Sequence, residues 1–253
     1  YEFNLASYFG RVNYSYLGRY LLEANIRTDG SSRFFKDSRW GVFPSFSAGW
    51  LVSEESFMKN VEWVNLLKFR GSYGVLGNIN NVGNYDYFQT YNNNLGYNFE
   101  NQVVSGISES KPSNTRLGWE KVAITDFGVD LEVLDNKLSI TADYYNKKTS
   151  DLLLQYNVPV EVGVINNPSQ NIGKVQNNGF EVALNYKNQV GDFQYSFGGN
   201  MSVNTNKIID LGESDNMIYD GGDKIDYIYK VGQSIGSYYG YITDGLYSQA
   251  EID

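Results

Sequence analysis

The chain has no cysteine and no histidine among its 253 residues. Those two absences remove disulfides, thiol nucleophiles, imidazole general bases and most zinc or copper sites. Proline occurs only 4 times, so little of the chain is polyproline-like. Basic residues are outnumbered, the formal charge is −9, and no basic stripe with interleaved aromatics occurs, which speaks against nucleic acid as a partner. No apolar run approaches the roughly 20 residues of a spanning helix, and no signal-peptide pattern opens the chain. The mean hydropathy of −0.41 does not exclude a membrane, because in a transmembrane barrel only alternate strand residues meet lipid. The chain starts at Tyr1 without a methionine and stops at Asp253 in mid-pattern, so a fragment is expected.

Aromatics and glycine are plentiful instead: 16% Phe, Trp and Tyr, with 22 Tyr and 26 Gly. They favour strand surfaces joined by turns. The clearest unit runs from Ser7 to Thr28. Tyr8, Gly10, Val12, Tyr14 and Tyr16 share one parity, with Ser7, Phe9, Arg11, Asn13 and Ser15 on the other. After Leu17-Gly18 the alternation resumes, with Tyr20, Leu22, Ala24 and Ile26 against Leu21, Glu23, Asn25 and Arg27. Two period-2 runs around a glycine turn predict a β-hairpin. Each run is about ten residues long, the length that crosses a bilayer when tilted, whereas soluble strands are usually about five or six.

Further along, Asp29 to Arg39 is an expected loop, and Trp40 to Trp50 is a strand in which Pro44 predicts a bulge or frayed end. Ser53 to Asn65 carries a helix-start pattern, so a short helix is expected there. Leu67 to Val75 is a strand. Gly77 to about Leu117 is the longest irregular stretch, and loops of this length tend to be functional or disordered. Its aromatics argue against disorder. Strands follow at Thr125–Val133 and Leu138–Tyr144 around Asp135-Asn136, then a mixed region from Thr149 to Asn178. A second clean hairpin, from Phe180 to Val203, turns at Gly191. From Lys207 onward the chain reads as acidic, tyrosine-rich loop, with a short strand near Tyr227 to Lys230.

About eight strands result, and short joints (Leu17-Gly18, near Phe57, Asp135-Asn136, Gly191) alternate with long ones (near Ser31, Tyr87 and Val160, and after Lys207). That is the asymmetry of outer-membrane barrels, with tight turns at one end and long extracellular loops at the other. Tyr16, Tyr20, Tyr186, Phe193 and Tyr195 sit beside the short turns on the apolar parity, where an interfacial girdle belongs. The fold class is thus all-β: an antiparallel up-and-down transmembrane β-barrel segment. Tyr14, Leu22, Ile140, Val182 and Phe197 are expected to face lipid, and Arg11, Asn25, Asp130, Asp143 and Asn200 the lumen. Open sheet edges are expected in place of a closed ring. Two other readings remain at this point: a self-contained eight-stranded barrel with a structural or adhesive role, and a soluble glycan-binding β-sandwich.

Several features invite a sharper reading. Gly71, Gly74 and Gly77 match neither the dinucleotide nor the P-loop spacing and are expected at a strand end. Asp215, Asp220, Asp223 and Asp226 have oxygens enough for calcium but not the EF-hand spacing, so a solvated loop is expected. Asp126, Asp130 and Glu132 lie on one parity of one strand and read as polar lumen wall paired with Arg or Lys, not as an acid/base pair. No catalytic residue, cofactor site or metal site is expected. The ligand candidates are Tyr85, Tyr87, Phe88, Tyr91, Asn93 and Tyr97, because ring faces stack on apolar surfaces while asparagines supply hydrogen bonds. The same rings could instead pack the loop.

Six phrases, in order along nearly the whole chain, resemble the SusC/RagA-type family of TonB-dependent outer-membrane transporters. They are SYFGRVNYSYLGRYLLEANIRTDGSSRF, FPSFSAGWLVSEESFM, LKFRGSYGVLGN, LGWEK, NIGKVQNNGFEVALNY and VGQSIGSYYGYITDGLYSQAEID. The resemblance implies the outer membrane of a Gram-negative bacterium and a barrel of about 22 strands, plugged by an N-terminal domain and capped by a SusD-type surface lipoprotein. It also implies import of glycan oligosaccharides or peptides, energised by the TonB complex. Residues 1–253 would then be part of one barrel domain, with plug, TonB box and closing strands outside this chain. Outer-membrane lipid would be a further partner, and no nucleic acid.

Overall fold

A computed structural model describes residues 2–155, 160–163, 166–212, 216–219, 226–240, 242 and 245. Eight strands form one antiparallel sheet, and they follow the alternation in the sequence. They are β1 (Leu5–Tyr16), β2 (Tyr20–Ser31), β3 (Trp40–Leu51), β4 (Val64–Asn78), β7 (Glu120–Val133), β8 (Leu138–Gln155), β9 (Ser169–Val190) and β10 (Phe193–Leu211). Their order in space is the order just given, so every strand neighbours the next one of the sheet and the path is a meander. β1 and β10 are the two edges and do not pair with each other. A closed eight-stranded barrel is therefore not what this chain forms.

The hairpin joining β4 to β7 is made of β5 (Thr90–Phe99) and β6 (Gln102–Lys111), paired only with each other. β11 (Asn216–Tyr219), β12 (Asp226–Lys230) and β13 (Ser237–Tyr239) form a small separate sheet. β12 coincides with the short strand expected near Tyr227.

Register carries each parity intact across the sheet. One row runs Tyr14, Leu22, Ala48, Gly71, Phe127, Tyr144, Phe180, Val203. Leu22, Ile140, Val182 and Phe197 lie on this face, while Arg11, Asn25, Asp130, Asp143 and Asn200 lie on the opposite one. A slip of one residue at any pairing would have exchanged the faces beyond it. The apolar face remains bare: Tyr8, Val12, Phe127, Phe193 and Phe197 are each more than 60% exposed. An apolar sheet face must be covered by a second layer or by lipid, and here no second layer of the described residues lies over it. At the short-turn end the rings meet in pairs, Tyr16 with Tyr20 and Trp50 with Phe69, and Tyr195 contacts Tyr186, Phe193 and Phe197. The expected girdle is there.

The turns at this end use left-handed backbone: Leu17 and Gly18, then Leu134, Asp135 and Asn136 in succession, then Gly191. Glycine and asparagine tolerate positive φ. The short helix expected between Ser53 and Asn65 is replaced by two single 3-10 turns, Val52–Glu54 and Ser56–Met58. The residue between them, Glu55, is extended at φ −76, ψ 149. Its carboxylate is drawn back to the sheet, where it accepts from Arg19 (2.8 Å), the Tyr20 hydroxyl (2.6 Å) and the Trp50 indole (3.0 Å). Those bonds hold the residue out of helical geometry. Pro44 causes neither a bulge nor a frayed strand end: β2–β3 pairing runs through it opposite Ile26, while the β3–β4 ladder begins only at the next residue, Ser45 opposite Gly74. The mixed region from Thr149 resolves into long extensions of β8 and β9, with a bulge between Thr149 and Leu152 at the left-handed Asp151.

Two expected outcomes follow. Ala24 lies midway along β2 on the apolar face, and Ala24→Arg in the full-length protein should cost about 2–4 kcal/mol in denaturant titration in lipid vesicles. Ile140 is on the same face but close to the start of β8, where the same change should cost roughly 0–1 kcal/mol. Equal costs at the two depths would overturn the placement of the apolar band. The Tyr20 and Trp50 hydrogen bonds, helped by Arg19 and opposed by desolvation, hold the Glu55 carboxyl below its ordinary pKa. That stabilisation is present above the unfolded glutamate pKa and fades as pH falls through the lower folded value. Glu55→Gln should therefore lower the unfolding temperature at neutral pH, with the gap closing in acid. A gap that is constant with pH would show the carboxylate charge to be irrelevant.

Candidate functional site

The strand directions bring the long connections after β2, β4, β8 and β10 to one end, opposite the tight turns. Most of the buried apolar side chains are also there. Phe34, Phe43, Val82, Leu117 and Trp119 form one cluster with Val75, Ile79 and Leu153 against it. Val175, Ile208 and Leu211 form another with Leu152, Leu154 and Tyr229. Phe34 and Trp119 pack at 5.3 Å and Phe43 and Trp119 at 5.4 Å. The loop end of the sheet, where strand extensions meet the connections, thus carries a conventional core.

Polar groups tie the loops to that core. Glu120, 1% exposed, accepts from Asn78 (2.6 Å), Asn81 (3.1 Å) and the Leu153 backbone N–H (3.0 Å). A buried carboxylate is tolerable when its lone pairs are filled in this way. Arg33 donates to Asn84 (3.0 Å) and the Ile79 carbonyl (3.3 Å). Asp86 accepts from the Gly83 N–H (2.6 Å) and pairs with Lys111 (2.9 Å), closing the base of the β5–β6 hairpin. Asn114 reaches the Ser169 carbonyl at 2.8 Å and Asn166 the Ser110 hydroxyl at 2.9 Å, so the hairpin base is also laced to the β8–β9 connection.

The six candidate residues fall into two groups. Tyr85, Tyr87 and Phe88 share a cluster below the hairpin, with Tyr87 4.4 Å from Phe88 and 5.8 Å from Phe35, and Tyr85 6.0 Å from Phe88. Tyr87 is only 9% exposed and its ring supports the others; Tyr85 and Phe88 keep open faces. Tyr91, Asn93 and Tyr97 are on β5, away from that cluster. Tyr91 and Tyr97 are exposed, and Asn93 lies in a bulge between Asn92 and Leu95 where its carbonyl accepts from the Ser105 hydroxyl at 2.9 Å. Part of the stretch expected to be irregular is thus a regular hairpin. Its turn, Glu100 and Asn101 at φ 48 and 62, is the two-residue left-handed type that matches strand twist. An asparagine there, between Phe99 and Val103, was the available signal.

The inner face of the sheet is polar. The Arg70 guanidinium lies among three carboxylates, 3.4 Å from Asp126, 3.3 Å from Asp130 and 2.5 Å from Asp143, and Lys68 is 3.8 Å from Asp130. Arg70, Gly128 and Asp143 are aligned on three successive strands. A Cβ at Gly128 would land on both the guanidinium and the Asp143 carboxylate, so glycine is what lets the arginine cross one strand to reach the next. Asp126 and Asp130 are therefore wall carboxylates paired with cations, as their parity suggests. Gly71, Gly74 and Gly77 are inside β4, with the Phe43 ring lying over Gly77. No group of three or more potential metal ligands occurs among the described residues. Asp215, Asp220 and Asp223 of the acidic string lie outside those residues.

A sheet with an apolar outer face, a charged inner face, tight turns at one end and packed loops at the other is wall from a β-barrel. Residues 1–248 match the family described as TonB dependent receptor-like, beta-barrel, and the chain belongs to that family. It is 38% identical to the TonB-dependent receptor SusC of Bacteroides thetaiotaomicron over 94% of its length, and 37% identical to a TonB-dependent receptor of Formosa agariphila over 98%. Among solved structures, that of the RagAB peptide transporter superposes with a TM-score of 0.78 at 26% identity over 92% of the chain. The chain spans about a quarter of the length of these proteins, 25%, 23% and 25% respectively. The named relatives are receptors and transporters, not enzymes.

Gly128→Ala should cost about 1–3 kcal/mol by forcing Arg70 off Asp143. Chemical denaturation of the full-length protein, alone and with Asp143→Asn, measures it. A cost that is the same in both backgrounds would show that the alanine acts through something other than that ion pair.

Proposed function

We infer that this chain is part of the wall of an importer in the outer membrane of a Gram-negative bacterium. It takes up oligosaccharide or peptide fragments through the barrel, with a SusD-type surface lipoprotein on its long-loop end. Energy reaches it from the TonB complex through parts of the protein outside this chain. The observation that carries the reading is the pairing of a continuous bare apolar band with a loop end built as a rigid platform. A barrel needs the band for lipid, while recognition needs loops fixed by a scaffold. SusC and the RagAB peptide transporter support the same reading.

On that platform Tyr85 and Phe88 offer stacking faces above Tyr87, and Tyr91, Asn93 and Tyr97 extend it along the hairpin. Aromatic faces with adjacent amides suit both sugars and peptides, so the residues themselves leave the substrate class open. The test replaces Thr90–Lys111 in the full-length transporter with the corresponding hairpin of a relative, leaving Asn84 and Asp86 in place. The barrel should assemble normally, judged by heat-modifiable migration, while uptake preference or co-purification with the lipoprotein changes. Normal assembly with both properties unchanged would reduce the hairpin to packing and remove Tyr91, Asn93 and Tyr97 from the site.

A further inference from the structure

A second recognition surface lies on the inner face, near the edge of the sheet. A groove of about 920 Å³ is lined there by side chains that include Phe9, Arg11, Arg27, Phe43 and Ser45. Register explains the grouping. Arg11 faces Asn25, which faces Ser45, and Phe9 faces Arg27, which faces Phe43. All six are on the polar parity, with Arg11 and Asn25 at mid-strand and Phe9, Arg27 and Phe43 nearer the loops.

The charges in the groove are not arranged as in the Arg70 cluster. Arg70 is enclosed by carboxylates. Arg11 uses only its Nε, donating to Asn25 at 2.7 Å, and its nearest carboxylate, Glu23, is 3.9 Å away. Glu23 is itself engaged by the Asn25 amide at 2.8 Å. The terminal nitrogens of Arg11 have no partner among the described residues, and its side chain is 64% exposed. Arg27 is paired through Nε with Asp29 at 2.8 Å, but the carboxylate is the buried member of that pair, 10% exposed against 55%. The groove therefore presents two guanidinium edges over a concealed carboxylate, beside a Phe9 ring that is 82% exposed. A guanidinium fork matches a planar anion in a bidentate manner, and an open ring face suits an adjoining apolar surface.

We propose that this groove is an anion subsite on the translocation path, taking a carboxylate-bearing unit of the imported molecule: the acid group on Arg11 and Arg27, its apolar flank on Phe9. A uronic acid sugar and an acidic peptide side chain share that chemistry. The proposal rests on the import reading above, and it predicts a preference for anionic cargo that the chain's overall negative charge would not suggest.

The test uses the full-length transporter in detergent, with calorimetric titration of trigalacturonate, neutral maltotriose and a tri-aspartate peptide. Trigalacturonate or the peptide should bind more tightly than maltotriose, and raised ionic strength should weaken that binding. Arg11→Gln should weaken it by about 10- to 100-fold, as expected for loss of charge-assisted hydrogen bonds, and Arg11→Lys should restore part of it. Phe9→Ala, which alters no charge, should weaken it as well. Which of the two anionic probes responds identifies the source of the carboxylate. Absence of binding by both, or binding untouched by Arg11→Gln, overturns the proposal, including the case in which another segment of the protein fills the groove. Cells that still take up neutral oligosaccharide through the same protein would then leave the import reading standing, whereas loss of all uptake would remove both.

Discussion

The structure depends on one constraint: every backbone N–H and C=O of a strand that meets lipid must be paired with a neighbouring strand, because no water is available to take its place. Pairing fixes register, and register, with a side-chain period of two, fixes which residues face outward. From Tyr14 on β1 to Val203 on β10 the outward row passes through eight strands without a change of face. The irregularities that do occur, between Val64 and Leu66, Thr149 and Leu152, Leu152 and Leu153, and Ile208 and Asp210, are toward strand ends, where an unpaired group can reach a loop or water. β1 and β10 are the edges of the sheet, and at the loop end of β10 Ile208 pairs with Gly232 and Gln233.

With its outer face committed to lipid, the middle of the sheet cannot supply a core, and the hydrophobic packing moves to the loop end, where strand extensions and connections meet. Phe34 and Trp119 are buried where connections meet β3, and Ile208 where the loop ends of β8, β9 and β10 come together. The buried Glu120 links Asn78, Asn81 and Leu153, which come from β4, the connection that follows it and β8. Such a carboxylate holds three segments in one geometry without needing a buried cation. A platform held this way carries the exposed rings of Tyr91 and Tyr97 on a hairpin paired only with itself.

The inner face handles charge in two manners that the physics separates clearly. Around Arg70 the cation is outnumbered by carboxylates and each group satisfies another, an arrangement that stiffens three neighbouring strands. Around Arg11 the guanidinium is the exposed member and the carboxylates are engaged elsewhere. Arginine's five donors in a rigid fork make both arrangements possible; the difference lies in which neighbours the register places opposite it. Gly128 opposite Arg70 opens a path to Asp143, whereas Asn25 opposite Arg11 takes only one nitrogen.

Alternation in the amino-acid sequence was sufficient for the eight strands, their facing, the girdle at Tyr16, Tyr20 and Tyr195, and the separation of short and long joints. These properties depend on a local period and a hydrophobic contrast that each strand carries by itself. The pairing of Asp126 and Asp130 with Arg70 was legible for the same reason. The helix signal at Ser53 was local too, but Glu55 reaches Arg19, Tyr20 and Trp50 across more than thirty residues in two of the three cases, and those distant bonds decided its backbone. The β5–β6 hairpin was missed although Leu95, Tyr97 and Phe99 alternate on β5, because β6 carries Val103 and Val104 on opposite faces and a register shift interrupts β5 between Asn92 and Leu95; the left-handed Glu100-Asn101 turn was the other mark. Of the six candidate residues, sequence identified aromatic side chains in a long connection, and burial alone distinguished Tyr87 as support from Tyr91 and Tyr97 as surface. Burial is a property of what arrives from elsewhere in the chain, here Phe35 from the β2–β3 loop. The groove at Arg11 depends equally on strands brought side by side. Period and polarity were set locally in the sequence, and tertiary pairing decided which charges were left open to a ligand.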